Sequence, residues 1–143
     1  MKTLYTAEAL ASGEGRDGTA VTKDGKLNVA LASPVELGGS GEGTNPEQLF
    51  AAGYAACFHS ALRLVGRQQK ADLTDSAVAA KIHLGALGDG PGYGIAAELE
   101  IALPAVDRET AEALVAKAHE VCPYSNATRG NITVDITILE VAA

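Results

Sequence analysis

Apolar and polar residues alternate most regularly in the second half of the chain. Val78, Ala80, Ile82 and Leu84 take turns with Ala79, Lys81 and His83; Ile95, Ala97, Leu99, Ile101 and Leu103 take turns with Glu98 and Glu100; and Ile132, Val134, Ile136 and Ile138 take turns with Thr133, Asp135 and Thr137. A period of two marks a strand with one buried face, so strands are expected over 76–84, 95–103 and 132–141. The first third is weaker. Leu4 to Ala9 alternates loosely, and Thr19 to Thr22 and Lys26 to Leu31 flank Lys23, Asp24 and Gly25. Asp-Gly between two strand-like runs signals a hairpin, which predicts a β-meander here.

Two segments break this rhythm and read as helices. Asn45 suits an N-cap, Pro46 the first helical position, and Gln48 stands where it can reach back to the N–H of the cap. From Leu49 to Val65 the apolar side chains go nearly all round the helix, which predicts a core helix covered on most sides. His59, Ser60 and Arg63 interrupt an apolar run shorter than the roughly 18 residues a bilayer demands, so no membrane partner is expected. The small residues Ala51, Ala52, Gly53, Ala55 and Ala56 would admit a close neighbour, a sheet or a second subunit. The other helix starts at Asp107 and turns Ala111, Leu114, Val115, Ala118 and Val121 to one side, with Cys122 at its C-terminal end before Pro123. Ser12 to Gly18, Pro34 to Gly43, Gly66 to Lys70 and Gly85 to Gly94 read as loops or turns. The order β-β-β-α-β-β-α-β, without a repeating βα unit, implies one α+β domain over 1–143, with antiparallel sheet, a long buried central helix and a second helix.

Composition narrows the partners. A net charge of −7, with eleven Lys and Arg in no basic run, argues against nucleic acid and anionic surfaces. The N-terminal MKTLYTAEAL lacks the apolar core and cleavage site of a signal peptide, so a cytoplasmic location is expected. In a reducing compartment the two cysteines, Cys57 and Cys122, are better read as reactive, metal-binding or buried than as a structural staple.

Cys57 sits in the middle of the central helix, too deep for the helix N-terminus to favour its thiolate, so a reactive Cys57 needs a basic side chain. Arg16 in the glycine-rich loop is a candidate, and Glu47 in the first helical turn could hold its guanidinium in a bidentate pair. An inert core thiol, a solvated arginine and an acid that merely favours the helix N-terminus are the bland readings of the same residues. A rival set for zinc is Cys57 with His59 and His119 with Cys122. Residues two apart on a helix point about 200° from each other, so Cys57 and His59 cannot face one ion. Both histidines then read as partnered or surface side chains. The loop 34–43 has neither a lysine nor the spacing of a phosphate cradle.

GRDG at 15–18, ELGGSG at 36–41, TNPEQLFAAGYAACF at 44–58, LP-x-x-DR at 103–108 and VCPYSNATRGNI at 121–132 resemble the organic hydroperoxide resistance proteins, a branch of the OsmC-like superfamily. The resemblance implies the OsmC-like fold as an intertwined homodimer. It further implies a thiol peroxidase acting on organic and fatty-acyl hydroperoxides in the response to oxidative stress. Cys57 would be the peroxidatic thiol, Cys122 the resolving thiol, and Arg16 with Glu47 the pair that activates Cys57 and orients the peroxide. By the same resemblance Cys57 and Cys122 form a redox-active disulfide within one chain, with no bound cofactor, and a dihydrolipoyl group on a lipoylated protein reduces it. A non-catalytic ligand-binding or structural protein with buried cysteines is the alternative.

Overall fold

In the computed structural model, which describes residues 1–143, the chain divides into two compact units, Met1–Leu49 and Phe50–Ala143. The first holds an antiparallel sheet in the order β1 (Ala9–Ser12), β2 (Thr19–Thr22), β3 (Asn28–Ala30). Ala9 faces Thr22 and Thr19 faces Ala30 in the two registers. The expected hairpin is present: the Thr22 hydroxyl donates to Asp24 at 2.7 Å, and the Gly25 N–H to the Thr22 carbonyl at 2.8 Å. The loose alternation of Leu4 to Ala9 is not itself a strand. A strand exists where a partner runs beside it, and β2 ends at Thr22, opposite Ala9. A short 3-10 turn, Val35–Leu37, punctuates the glycine-rich 34–43 loop. Thr44 then bridges Leu31 in parallel, which ties the entry of α1 to the chain leaving β3.

Helix α1 (Pro46–Gln69) begins where the cap predicts, with Asn45 Oδ1 accepting from the Gln48 N–H at 2.9 Å. The Gln48 side chain does not return to the cap N–H; its Oε1 accepts from the Thr44 hydroxyl at 2.7 Å. The helix also outruns its expected end, because Gly66 is an interior position. The Leu73 side chain occupies the space that a Cβ at Gly66 would need, at 2.4 Å, and only Lys70, at φ 56°, turns the chain out. With 24 residues α1 is long and apolar enough by length and composition to cross a bilayer, contrary to the short run expected.

Its apolar residues also prove not to be covered all round. Tyr54, Phe58, Ala61, Leu62 and Val65 form one buried stripe, whereas Ala52, Ala56 and Leu64 are exposed. Apolarity alone does not say which sides have neighbours. The stripe packs in the second unit with Ala97, Leu99, Ile101 and Leu103 of β5 (Tyr93–Leu103) and Ala111, Leu114, Val115 and Ala118 of α2 (Arg108–Val121). Strand β4 (Ala77–Ala86) pairs with β5 antiparallel, His83 facing Ala96, and carries Lys81 and His83 on the outer face beside Glu98 and Glu100. The α2 cap is as predicted, Asp107 Oδ1 accepting from the Thr110 N–H at 2.8 Å.

Two further features depart from expectation. The last strand, β6 (Val134–Val141), lies parallel to β5, Leu99 facing Ile136, so this sheet is mixed. Alternation reports a buried face, not a direction. The crossover through α2 and a further helix, α3 (Pro123–Thr128), returns the chain to the end at which β5 began, as parallel neighbours require. The extra helix starts with Pro123 at its first position after an extended Cys122, the conformation that a residue before proline favours. The fold is α+β, two small sheets with helices.

Leu99 is wholly buried at the centre of β5, so Leu99→Ala leaves a cavity and is expected to cost about 2–5 kcal/mol. Urea unfolding should show a lower midpoint at an unchanged slope; an unchanged midpoint would mean that Leu99 is not a core residue.

Candidate active site

The four residues that sequence reasoning singles out meet as two pairs, one in each unit. In the first unit, Arg16 stands in a 3-10 turn, Gly15–Asp17. Asp17 anchors the turn by accepting from the Ser33 N–H at 2.9 Å and the Ser33 hydroxyl at 3.2 Å. The turn closes tightly enough that a Cβ on Gly18 would lie 2.1 Å from the Ser12 carbonyl oxygen. The Arg16 guanidinium, so presented, donates through both terminal nitrogens to the Glu47 carboxylate, at 2.8 and 2.6 Å. Fork-to-fork pairing of this kind fixes the guanidinium plane as well as its position. The hydrogen bonds raise Arg16 further above the usual guanidinium range and hold Glu47 below the usual carboxylate range, so both stay charged at neutral pH.

In the second unit, Cys122 ends α2, its N–H donating to the Ala118 carbonyl at 2.9 Å, and caps α3. Its thiol is completely buried and directed at the partly buried Cys57, with 3.6 Å between the two sulfurs. The Ser125 N–H donates to the Cys122 sulfur at 3.5 Å. Burial pushes the Cys57 thiol up, and the neighbouring Cys122 sulfur adds to this; the backbone of Tyr124 opposes both. Phe50, Tyr54 and Tyr124 form a ring cluster with centroids 5.7 to 6.0 Å apart, with Tyr124 in α3, the helix that Cys122 caps. Thiols this close need to approach by only about 1.5 Å to reach the roughly 2.0 Å of a disulfide.

The two helical histidines are partnered, His59 Nε2 to the Ser76 hydroxyl at 3.0 Å and His119 Nδ1 to the Ser125 hydroxyl at 2.9 Å. No three His, Cys, Asp or Glu side chains converge as metal ligands would. Sequence reasoning missed Ser125, Tyr124 and the role of Tyr54. Ser125 and Tyr124 lie in α3 and Tyr54 bonds to it from α1, and the one sequence signal of α3 is a proline placed to begin a helix directly after Cys122.

A mixed α+β fold that brings two free cysteines into contact defines a cysteine-based protein with a partly accessible thiol backed by a buried one. Residues 39–137 match the OsmC-like protein family. The organic hydroperoxide resistance protein of Xanthomonas axonopodis pv. citri is 52% identical over 139 residues, 96% of each chain. The crystal structure of an organic hydroperoxide resistance protein from Legionella pneumophila is similar at a TM-score of 0.91 with 50% identity, covering 96% of this chain and 98% of that one. The structure of OhrB of Bacillus subtilis, a protein of the same description, is similar at 0.86 with 42% identity, covering 96% of this chain and all of that one (100%). The chain belongs to the OsmC-like family, on its organic hydroperoxide resistance branch.

Burial lowers the pKa of both His59 and His119, with Arg63 and Arg129 adding to the effect. A base whose folded pKa is depressed binds fewer protons folded than unfolded between the two values, so stability rises with pH across that window. Stability is therefore whole above the ordinary imidazole pKa of about 6.5 and is expected to decline as pH falls through it. Urea midpoints between pH 7.5 and 5 should fall, and less so in His59→Asn; an equal fall in that variant would remove His59 from the cause.

Proposed function

We propose that the protein is a thiol peroxidase that reduces organic and fatty-acyl hydroperoxides to alcohols. The Cys57 thiolate attacks the peroxide oxygen distal to carbon; the O–O bond breaks, the alkoxide leaves and takes up a proton as the alcohol, and Cys57 becomes a sulfenic acid. Cys122 then attacks that sulfur, an S–S bond replaces S–O, and water leaves. The observation that carries this reading is the 3.6 Å contact between a buried and a partly accessible sulfur, which suits rapid closure before over-oxidation. A dithiol, a dihydrolipoyl group on a lipoylated protein, would restore both thiols by exchange. The relatives named for organic hydroperoxide resistance support the substrate class.

Arg16 is the group to which we assign activation of Cys57. A thiol raised by burial needs a cation to favour its thiolate, and Arg16 is a permanent one oriented by Glu47. The rings of Phe50 and Tyr124, backed by the buried Tyr54, give an alkyl tail apolar surface to rest on. A second copy of the chain is the partner we assign to the first unit. Leu4, Tyr5, Leu10, Val35 and Leu37 are exposed there, and β1 is exposed along its length. The cytoplasm is the compartment that suits a thiol cycle of this kind.

With one equivalent of cumene hydroperoxide, Cys57→Ser is expected to consume nothing, while Cys122→Ser is oxidised once per chain and stops at the sulfenic acid. Steady-state activity in Cys57→Ser would overturn the assignment. Arg16→Ala should move the pH profile of Cys57 alkylation upward, and an unmoved profile would take Arg16 out of the site. For substrates, kcat/KM for cumene hydroperoxide should exceed that for hydrogen peroxide by on the order of tenfold or more, the effect of about 1.4 kcal/mol of tail binding expressed in the transition state. Equal values would contradict an apolar approach to Cys57.

A further inference from the structure

Behind Cys122 lies a network of side-chain hydroxyls that the thiol chemistry does not itself use. The Tyr54 hydroxyl, wholly buried, meets Ser125 Oγ at 3.1 Å and Thr128 Oγ1 at 3.0 Å. His119 Nδ1 meets Ser125 Oγ at 2.9 Å, and the Thr128 hydroxyl donates to the Ser125 carbonyl at 3.3 Å. Each hydroxyl has one proton to give, so once Thr128 donates to the Ser125 carbonyl the other directions follow. Thr128 spends its proton on the Ser125 carbonyl, so it must accept from Tyr54. Tyr54, having donated, must accept from Ser125. Ser125 has then no proton left for the imidazole, and its oxygen can only accept from His119. All four contacts are satisfied together when His119 carries a proton on Nδ1, and no buried side-chain nitrogen or oxygen lacks a partner.

We propose that His119, held as the Nδ1–H tautomer and donating to Ser125, is a positioning residue for the resolving thiol Cys122. Ser125 is the link: its hydroxyl is gripped by His119 and Tyr54, and its backbone N–H donates to the Cys122 sulfur at 3.5 Å. Fixing Ser125 fixes the direction in which that sulfur faces Cys57. The groups around His119 are consistent with a donor rather than a reacting base. Phe58 of α1 presents its ring at 6.4 Å, the Arg129 guanidinium donates to the His119 backbone carbonyl, and Lys117 and Glu120 of α2 pair with each other at 2.6 Å. Arg129 also donates to Asn126 Oδ1 at 2.8 Å, which closes the α3 turn around Ser125.

The inference rests on the peroxidase reading for the step it affects, the attack of Cys122 on the Cys57 sulfenic acid with formation of S–S and loss of water. The test separates that step from the first. In His119→Leu, oxidation of Cys57 by one equivalent of cumene hydroperoxide should keep its rate. Closure of the disulfide should slow roughly tenfold, the effect of one lost positioning hydrogen bond of about 1.4 kcal/mol. Dimedone should accordingly trap more sulfenic acid. In His119→Asn, whose amide N–H stands near the position of Nδ1–H, closure should stay within about twofold of the unsubstituted protein. Ser125→Ala, which keeps the backbone N–H and loses the grip, should resemble the leucine variant. In reduced protein labelled with nitrogen-15 at histidine, the His119 signals, identified by their loss in His119→Asn, should show a protonated Nδ1 and a bare Nε2. A bare Nδ1, or closure in both His119→Leu and Ser125→Ala as fast as in the unsubstituted protein, would overturn the proposal. Failure of the unsubstituted protein to form either the sulfenic acid or the disulfide would instead overturn the peroxidase reading, and the nitrogen-15 spectrum would still decide the tautomer.

Discussion

Burial of the Tyr54, Phe58, Leu62 and Val65 stripe of α1 against β5 and α2 is the constraint from which the thiol pair follows. Cys57 is the immediate neighbour of Phe58, so driving Phe58 into the core leaves Cys57 at the margin of that stripe, partly accessible. The same packing brings the end of α2 toward α1, because Ala111, Leu114, Val115 and Ala118 fill the other side of the core, and Cys122 is the residue on which that face ends. The sulfur contact follows first from apolar burial, which brings the two helices together, and the Ser125 N–H bonded to the Cys122 sulfur adds to its placement.

What apolar packing does not supply is a negative charge on sulfur. Burial works against the thiolate of Cys57, and the backbone of Tyr124 offsets it only in part. A buried thiol with no cation beside it is the inert core cysteine of many proteins. The Arg16–Glu47 pair has what the thiols lack, a permanent cation whose plane is fixed by two hydrogen bonds and whose turn is fixed by Asp17 and Ser33. The peroxidase reading joins these two halves. Arginine, unlike lysine, keeps its charge and its fork geometry when partly shielded, which suits both a thiolate and a peroxide oxygen.

The polar network behind Cys122 shows a second use of the core. Tyr54 contributes its ring to the apolar stripe and its hydroxyl to Ser125 and Thr128, so one side chain serves packing and orientation together. Because every member of the network is satisfied, it specifies one arrangement of α3 rather than loosening it. The first unit is the opposite case. Its short sheet leaves Leu10 and the chain before it exposed, and this is the edge to which the proposed second copy is assigned.

Local pattern determined much of this protein. The period-two runs around Leu99 and Ile136 marked their strands, Asn45 with Pro46 and Asp107 marked the helix starts, and Asp24-Gly25 marked the hairpin, because each of these depends on neighbours within a few residues. The motifs around Arg16, Glu47, Cys57 and Cys122 marked the residues to watch. Tertiary structure alone decided the rest. Whether Gly66 ends a helix depended on where Leu73 packs, and which sides of α1 are covered depended on what surrounds it. The parallel course of β6 depended on a crossover whose last helix the alternation pattern cannot register. The contact between Cys57 and Cys122 joins positions 65 residues apart, and the Arg16–Glu47 pair positions 31 apart. Hydrophobic periodicity reports which face of a segment avoids water, but it carries no information about which distant segment that face will meet.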